Sequence, residues 1–148
     1  MLNLRQSFHL QESIMKGGYH VSYYYNAVTL RTTAIYDSTS AANQVGSYSS
    51  NSDVSVETCG SQRFFKTNLG YILAKQVYIP NGSSSAVIQG DSTDDYSNLR
   101  EIPDSSSSRL AKLYPGEEVT VLDETSNNYS RVSTTFGTGW VLSSSLYY

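Results

Sequence analysis

The sequence predicts an all-β protein made of two small barrels in tandem behind a short N-terminal arm. Three observations predict it. Apolar residues fall in runs of strand length, separated by clusters of Ser, Asn, Gly and Asp. Charged residues make up only 16% of the chain and aromatics 12%, with 13 tyrosines, a balance that favours strands and turns over helical surfaces. The series of apolar runs also begins again after residue 86, the mark of a duplicated module.

Residues 1–19 form the arm. Leu2, Leu4, Phe8, Leu10, Ile14 and Met15 are apolar and Gly17-Gly18 closes the segment, which fits a short amphipathic helix or an extended arm, packed or loose. The first barrel spans 20–80. Its runs are Val28, Leu30 and Ile35, then Val54 and Val56 alternating across Asp53, Ser55 and Glu57, then Phe64-Phe65, Tyr71-Ile72-Leu73, and Val77 with Ile79. Residues 81–86, in the stretch Pro80-Asn-Gly-Ser-Ser-Ser85, read as a linker by composition. The second barrel spans 87–148, with five or six strands that place Leu99, Val119, Val121 and Val141 inside.

The two series align as an internal repeat. Leu30-Arg31 is matched to Leu99-Arg100 at an offset of 69, Val54 and Val56 to Val119 and Val121 at 65, Phe64 and Lys66 to Tyr129 and Arg131 at 65, and Gly70-Tyr71 to Gly139-Trp140 at 69. Two compensating loop changes of four residues account for these offsets, the second in the 133–139 hairpin, because loops absorb length changes and strands do not. A unit of about 60 residues buries only about 60% of its extended-chain surface, so each is expected to lean on the other or on the 1–19 arm packed across them.

Residues 1–86 carry six basic and four acidic side chains, and residues 87–148 four basic and nine acidic, so the halves are charged +2 and −5. The overall −3 argues against a broad basic face for nucleic acid. No stretch approaches the length of an apolar membrane span. The first ten residues hold no apolar run followed by a small-residue cleavage site, so no secretory signal is legible. Localisation stays open between the cell interior, a particle assembled there, and the cell surface after removal of an export signal.

The second series resembles a known family. Asn98-Leu99-Arg100-Glu-Ile-Pro103 with Arg109-Leu110 is similar to the opening of a bacterial Src-homology-3 domain, Leu113-Tyr114-Pro115-Gly116-Glu117 with Val119 and Val121 to its middle, and Gly139-Trp140-Val141 with Ser145-Leu146 to its end. The first series matches only through the repeat; it lacks the Pro-Gly before its middle strand and has Tyr71 where the family prefers Trp. The resemblance implies two Src-homology-3-like barrels and a targeting module that binds cell-wall peptide, commonly beside a hydrolase domain. The same barrels also occur in structural proteins of phage particles.

Chemistry is sparse. Cys59 is the single cysteine, and its neighbours Thr58 and Gly60 do not form the Asp-Cys-Ser-Gly signature of cell-wall peptidases, so it is expected to be a small hydrophobe at a strand end. His9 and His20 are too few for a zinc site. Asp91, Asp94 and Asp95 read as a solvated acidic loop rather than a calcium loop. Glu117-Glu118 and Asp123-Glu124 read as exposed charges. The expectation is a non-enzyme without cofactor or metal.

The aromatics carry the functional expectation. Tyr23-Tyr24-Tyr25 cannot all face inward from a strand. A groove between the first-strand loop and the middle hairpin of each barrel is expected to hold an extended peptide, with Tyr25, Tyr36 and Tyr71 in the first barrel and Tyr96, Tyr129 and Trp140 in the second. Packing within or between the barrels is the competing use of the same rings. Two functions follow: a non-catalytic binding module for peptide such as the peptide of peptidoglycan, or a structural protein of a multi-copy particle such as a phage tail, with itself or other virion proteins as partners.

Overall fold

A computed structural model describes residues 9–15, 18–90 and 95–148, with side chains from Val21 onward. The fold is all-β, with two separate antiparallel sheets. The first contains β1 (His9–Met15), β2 (Gly18–Thr29), β3 (Thr33–Tyr36), β4 (Gln44–Tyr48), β5 (Asp53–Glu57), β6 (Phe64–Thr67), β7 (Gly70–Leu73) and β8 (Val77–Tyr78). They pair in the order β1-β2-β5-β6-β7-β3-β4, with β8 on β2. The second contains β9 (Ser84–Ile88), β10 (Ser97–Arg100), β11 (Arg109–Leu113), β12 (Glu118–Ser126), β13 (Tyr129–Thr134), β14 (Gly137–Leu142) and β15 (Leu146–Tyr147), in the order β11-β10-β14-β13-β12-β9-β15. A 3-10 turn precedes the last strand of each, at Ala74–Gln76 and Ser143–Ser145.

Several boundaries differ from the expectation. Residues 9–15 take the extended of the two forms expected for the arm and pair with β2 from His9↔Tyr24 to Met15↔Gly18, so the line drawn between arm and barrel falls inside β2. Residues 1–8 lie outside the described residues. The Pro80–Ser85 stretch is not a free linker: Ser83 N–H donates to Val121 O at 2.9 Å, and Ser84 and Ser85 already belong to β9. A Cβ on Gly82 would press on Val121 O, Thr120 and Leu122, so this glycine lets the connection lie flat on β12. The second sheet has seven strands where five or six were expected.

Each sheet wraps its own core because period-two alternation puts one apolar row inward. Leu99, Val119, Val121 and Val141 share the second core, joined by Ile88, Leu113, Val132 and Leu146. The first core holds Tyr25, Ala27, Ile35, Val54, Val56, Phe65, Ile72 and Val77.

Strand pairing relates the two sheets element by element. Ala27 pairs Val54 as Ala86 pairs Val119, Thr29 pairs Val77 as Ile88 pairs Leu146, and Tyr36 pairs Tyr71 as Arg100 pairs Trp140. Tyr71 and Trp140 are therefore counterparts, as are Gly70 and Gly139. Leu30 and Leu99 are not: the residue matching Leu99 is the buried Ile35, at an offset of 64, and Arg100 is matched by Tyr36. The offsets run 59 for β2 and β9, 64 for β3 and β10, 65 through β6 and β13, and 69 from β7 and β14 on. The second unit is thus longer at every change, and the shared Leu-Arg dipeptide had suggested a compensation that does not exist.

The four extra residues of the β13–β14 hairpin bind the sheets together. Ser133 Oγ accepts from Ile79 N–H at 2.7 Å, and Thr138 Oγ1 donates to Val77 O at 2.9 Å. Gly137, at φ 127°, lies so close to the Lys75 backbone that a Cβ would collide with it. Leu122, from the second sheet, is 3% exposed and completes the first core. Burying such a side chain contributes about 1.5–3 kcal/mol.

Candidate functional site

Two of the expected groove residues lie instead in the contact between the sheets. Trp140 is 2% exposed, and its indole Nε1–H donates to Gln62 O at 2.9 Å. Tyr25 is 1% exposed; its hydroxyl donates to Asp123 Oδ2 at 2.5 Å and accepts from Asp123 N–H at 3.1 Å. Burial pushes the Tyr25 phenol far above its ordinary range, and the Asp123 carboxylate reinforces this by accepting a hydrogen bond from the protonated hydroxyl. Neither ring faces a groove.

Arg131, which the sequence did not single out, organises this contact. It is fully buried, ion-paired to Glu124 at 2.7 Å, and donates to Ser61 O and Gln62 O at 3.3 Å each. Its guanidinium carbon lies 4.3 Å from the Phe65 ring centroid and 5.2 Å from that of Trp140. Arg131 Nε is the buried side-chain atom left without a partner among the described residues. Arg63 and Lys75 reach across to Glu101 at 3.1 and 3.3 Å. Asp123 and Glu124 are thus not free surface charges, as had been expected. They serve the contact.

The remaining expected residues divide. In the first unit Tyr36 lies edge-on against Phe64, with ring centroids 6.1 Å apart, and Phe64 is buried. Phe64 is the counterpart of Tyr129 and Tyr36 that of Arg100, so here two rings meet where the second unit has Arg100 and Tyr129 in the groove lining. Tyr71 is half-buried.

In the second unit Tyr96 and Tyr129 do come together. They line a groove of about 280 Å³ with Asn98, Arg100, Ser105, Leu142 and Ser145. Tyr96 is 39% exposed, Leu142 45%, and Tyr129 only 6%. The groove lies on β10, with Ser105 of the 101–108 loop on one side; Tyr129, at the start of β13, Leu142 and Ser145 complete its lining. Local bonds hold both walls. Arg100 Nη1–H donates to Ser107 O at 2.8 Å, Ile102 N–H to Ser107 Oγ at 3.0 Å, and Ser106 N–H to Asp104 Oδ1 at 2.9 Å. The Ser106 bonds hold the Asp104 carboxyl below its ordinary range. Asn127 and Asn128, at φ 53° and 68°, make the tight hairpin turn that twisted strands require. Asn127 Nδ2–H then donates to Pro103 O at 3.0 Å, fixing one wall to the other. The sequence missed Asn98 and Arg100 as wall residues, although β10 alternation, once its register is known, places Arg100 outward beside inward Leu99.

A second depression, about 520 Å³, lies on the outer face of the first sheet among Tyr24, Asp53, Glu57 and Lys66. Tyr24 is the outward member of the tyrosine triplet; desolvation and Glu57 raise its phenol. Cys59 Sγ–H points at Phe64 O at 3.6 Å, and burial pushes the thiol up, the opposite of what a nucleophile needs. The expected acidic loop falls on Asp91 and Asp94, which lie outside the described residues.

Residues 95–147 match the family model of the bacterial SH3 domain, a span that contains every residue of the groove on the second sheet. A solved structure, NlpC1 from Trichomonas vaginalis, is similar over 100% of this chain at 16% identity and a TM-score of 0.41. The chain corresponds to 51% of that solved chain, about half its length. No curated protein matches the sequence.

Proposed function

We propose that this protein is a non-catalytic binding module whose second unit recognises an extended peptide, such as the peptide of bacterial peptidoglycan. One observation carries the reading. The groove walled by Tyr96 and Tyr129 lies wholly within the stretch that matches the bacterial SH3 domain, while the counterparts of Arg100 and Tyr129 in the first unit, Tyr36 and Phe64, pack edge-on against each other. Tyrosines give a peptide backbone large contact area at little entropic cost. Serine and asparagine around them offer hydrogen bonds to its amides. The first unit is then a support, holding the second through Arg131, Trp140 and the extended hairpin.

Sedimentation with purified peptidoglycan tests this. The unmodified protein is expected in the pellet. Tyr96→Ala, at a ring exposed enough to leave the fold intact, is expected to weaken binding by roughly 1–3 kcal/mol with Tm unchanged. Protein that stays in the supernatant, or a Tyr96→Ala variant that binds as well as the parent, overturns the proposal.

A further inference from the structure

We infer that the groove on the second sheet selects ligands that carry a carboxylate, and that Arg100 is the residue that reads it. The inference rests on the proposed function and adds the charge of the ligand. Arg100 is the charged residue among those lining the groove. It is half-buried, and its bond to Ser107 O uses only Nη1, anchoring the guanidinium at the base of the 101–108 loop. The fork keeps further donors, the geometry that takes a carboxylate by two parallel bonds.

Two further cations lie against groove residues although residues 87–148 carry a net charge of −5. Lys112 Nζ sits 4.5 Å from the Tyr96 ring centroid, and Arg109 Nη1 lies 3.4 Å from Asn98 Oδ1. Five of the described acids are engaged elsewhere. Glu101 is held by Arg63 and Lys75, Asp104 by Ser106, Glu117 by the Tyr114 N–H, Asp123 by Tyr25 and Glu124 by Arg131. Asp95, beside Tyr96, is exposed and does not line the groove. The docking of the first unit therefore withdraws Glu101, the acid at the root of the 101–108 loop that would otherwise attract a cationic peptide. A peptide with a terminal or side-chain carboxylate meets Arg100 without an acid beside it in the lining, while its backbone lies on Tyr96 and Tyr129.

Short peptides titrated into the whole protein, followed by amide chemical shifts of residues 95–147, test this. The probes are acetyl-Ala-Ala-Ala with a free carboxylate, its C-terminal amide, acetyl-Ala-Glu-Ala amide and acetyl-Ala-Lys-Ala amide. The free acid is expected to bind roughly tenfold or more tighter than its amide, as when a charge-assisted bond is lost. Comparison with the glutamate peptide tells whether a terminal or a side-chain carboxylate serves better, and either preference over the neutral amide supports the inference. Arg100→Gln, which keeps a donor for Ser107 O, is expected to erase the difference, and Arg100→Lys to restore part of it. Equal binding of acid and neutral amide, or tightest binding of the lysine peptide, overturns the carboxylate inference and leaves peptide recognition standing. Absence of any shift at Tyr96 and Tyr129 with all four probes overturns both.

Discussion

At the scale of single residues, the same side-chain types serve opposite purposes in the two units. Tyr96 is partly exposed on a groove wall, while Tyr25 is buried against Asp123. The difference is measurable through pH. An unfolded tyrosine ionises near its ordinary value, about 10, whereas folding holds the Tyr25 phenol protonated well above that. A folded-state pKa raised above the unfolded one gives stability that is full below the unfolded value and is lost as pH climbs beyond it. Stability is therefore expected to decline above about pH 10, and Tyr25→Phe to flatten that decline. The same variant is expected to cost about 1–2 kcal/mol at neutral pH, because Asp123 loses its partner. Urea unfolding at neutral and alkaline pH checks both, and an unchanged alkaline slope in Tyr25→Phe contradicts the assignment.

At the scale of elements, the alternation of Val54 with Val56 and of Val119 with Val121 made the strands legible, since period two leaves one face apolar. The register of the first hairpin in each unit was not legible. Leu-Arg occurs at 30–31 and 99–100, yet Ile35 is the residue that fills the place of Leu99, and nothing in the dipeptide itself distinguishes the two. The role of Trp140 was hidden for a different reason. Its burial comes from the other unit, through Gln62, and no local pattern reports a neighbour so distant in sequence. The extra length of the β13–β14 hairpin was visible, but its purpose as a docking element was not. Gly137 tests that purpose against Gly116. Both have positive φ, 127° and 91°, but a Cβ at Gly116 meets open space while one at Gly137 meets the Lys75 backbone. Gly116→Ala is expected to cost backbone strain alone, about 1–3 kcal/mol, and Gly137→Ala that plus the loss of hairpin docking. Equal melting temperatures for the two variants contradict the docking role.

At the scale of the whole molecule, the two sheets are expected to unfold together. The first core needs Leu122 from the second sheet, and Arg131 of the second is buried against Phe65 and the 61–62 carbonyls of the first. Leaving a buried guanidinium without these partners costs about 3–5 kcal/mol, comparable to the stability of a small unit on its own. Trp140 is the single tryptophan and sits at the contact, so its fluorescence reports separation of the sheets while circular dichroism reports the strands. Coincident transitions are expected. Fluorescence changing well before the strands melt contradicts a single cooperative body.

The central claim is that the second unit carries the recognition groove and the first unit supports it. Amide chemical shifts recorded while soluble peptidoglycan fragments are added test it most directly. The account predicts perturbations concentrated at Tyr96, Asn98, Arg100, Tyr129 and Leu142, with the contact around Trp140 and Arg131 unmoved. Perturbations centred instead on Tyr24, Glu57 and Lys66 of the first sheet, or none at saturating fragment, would contradict it.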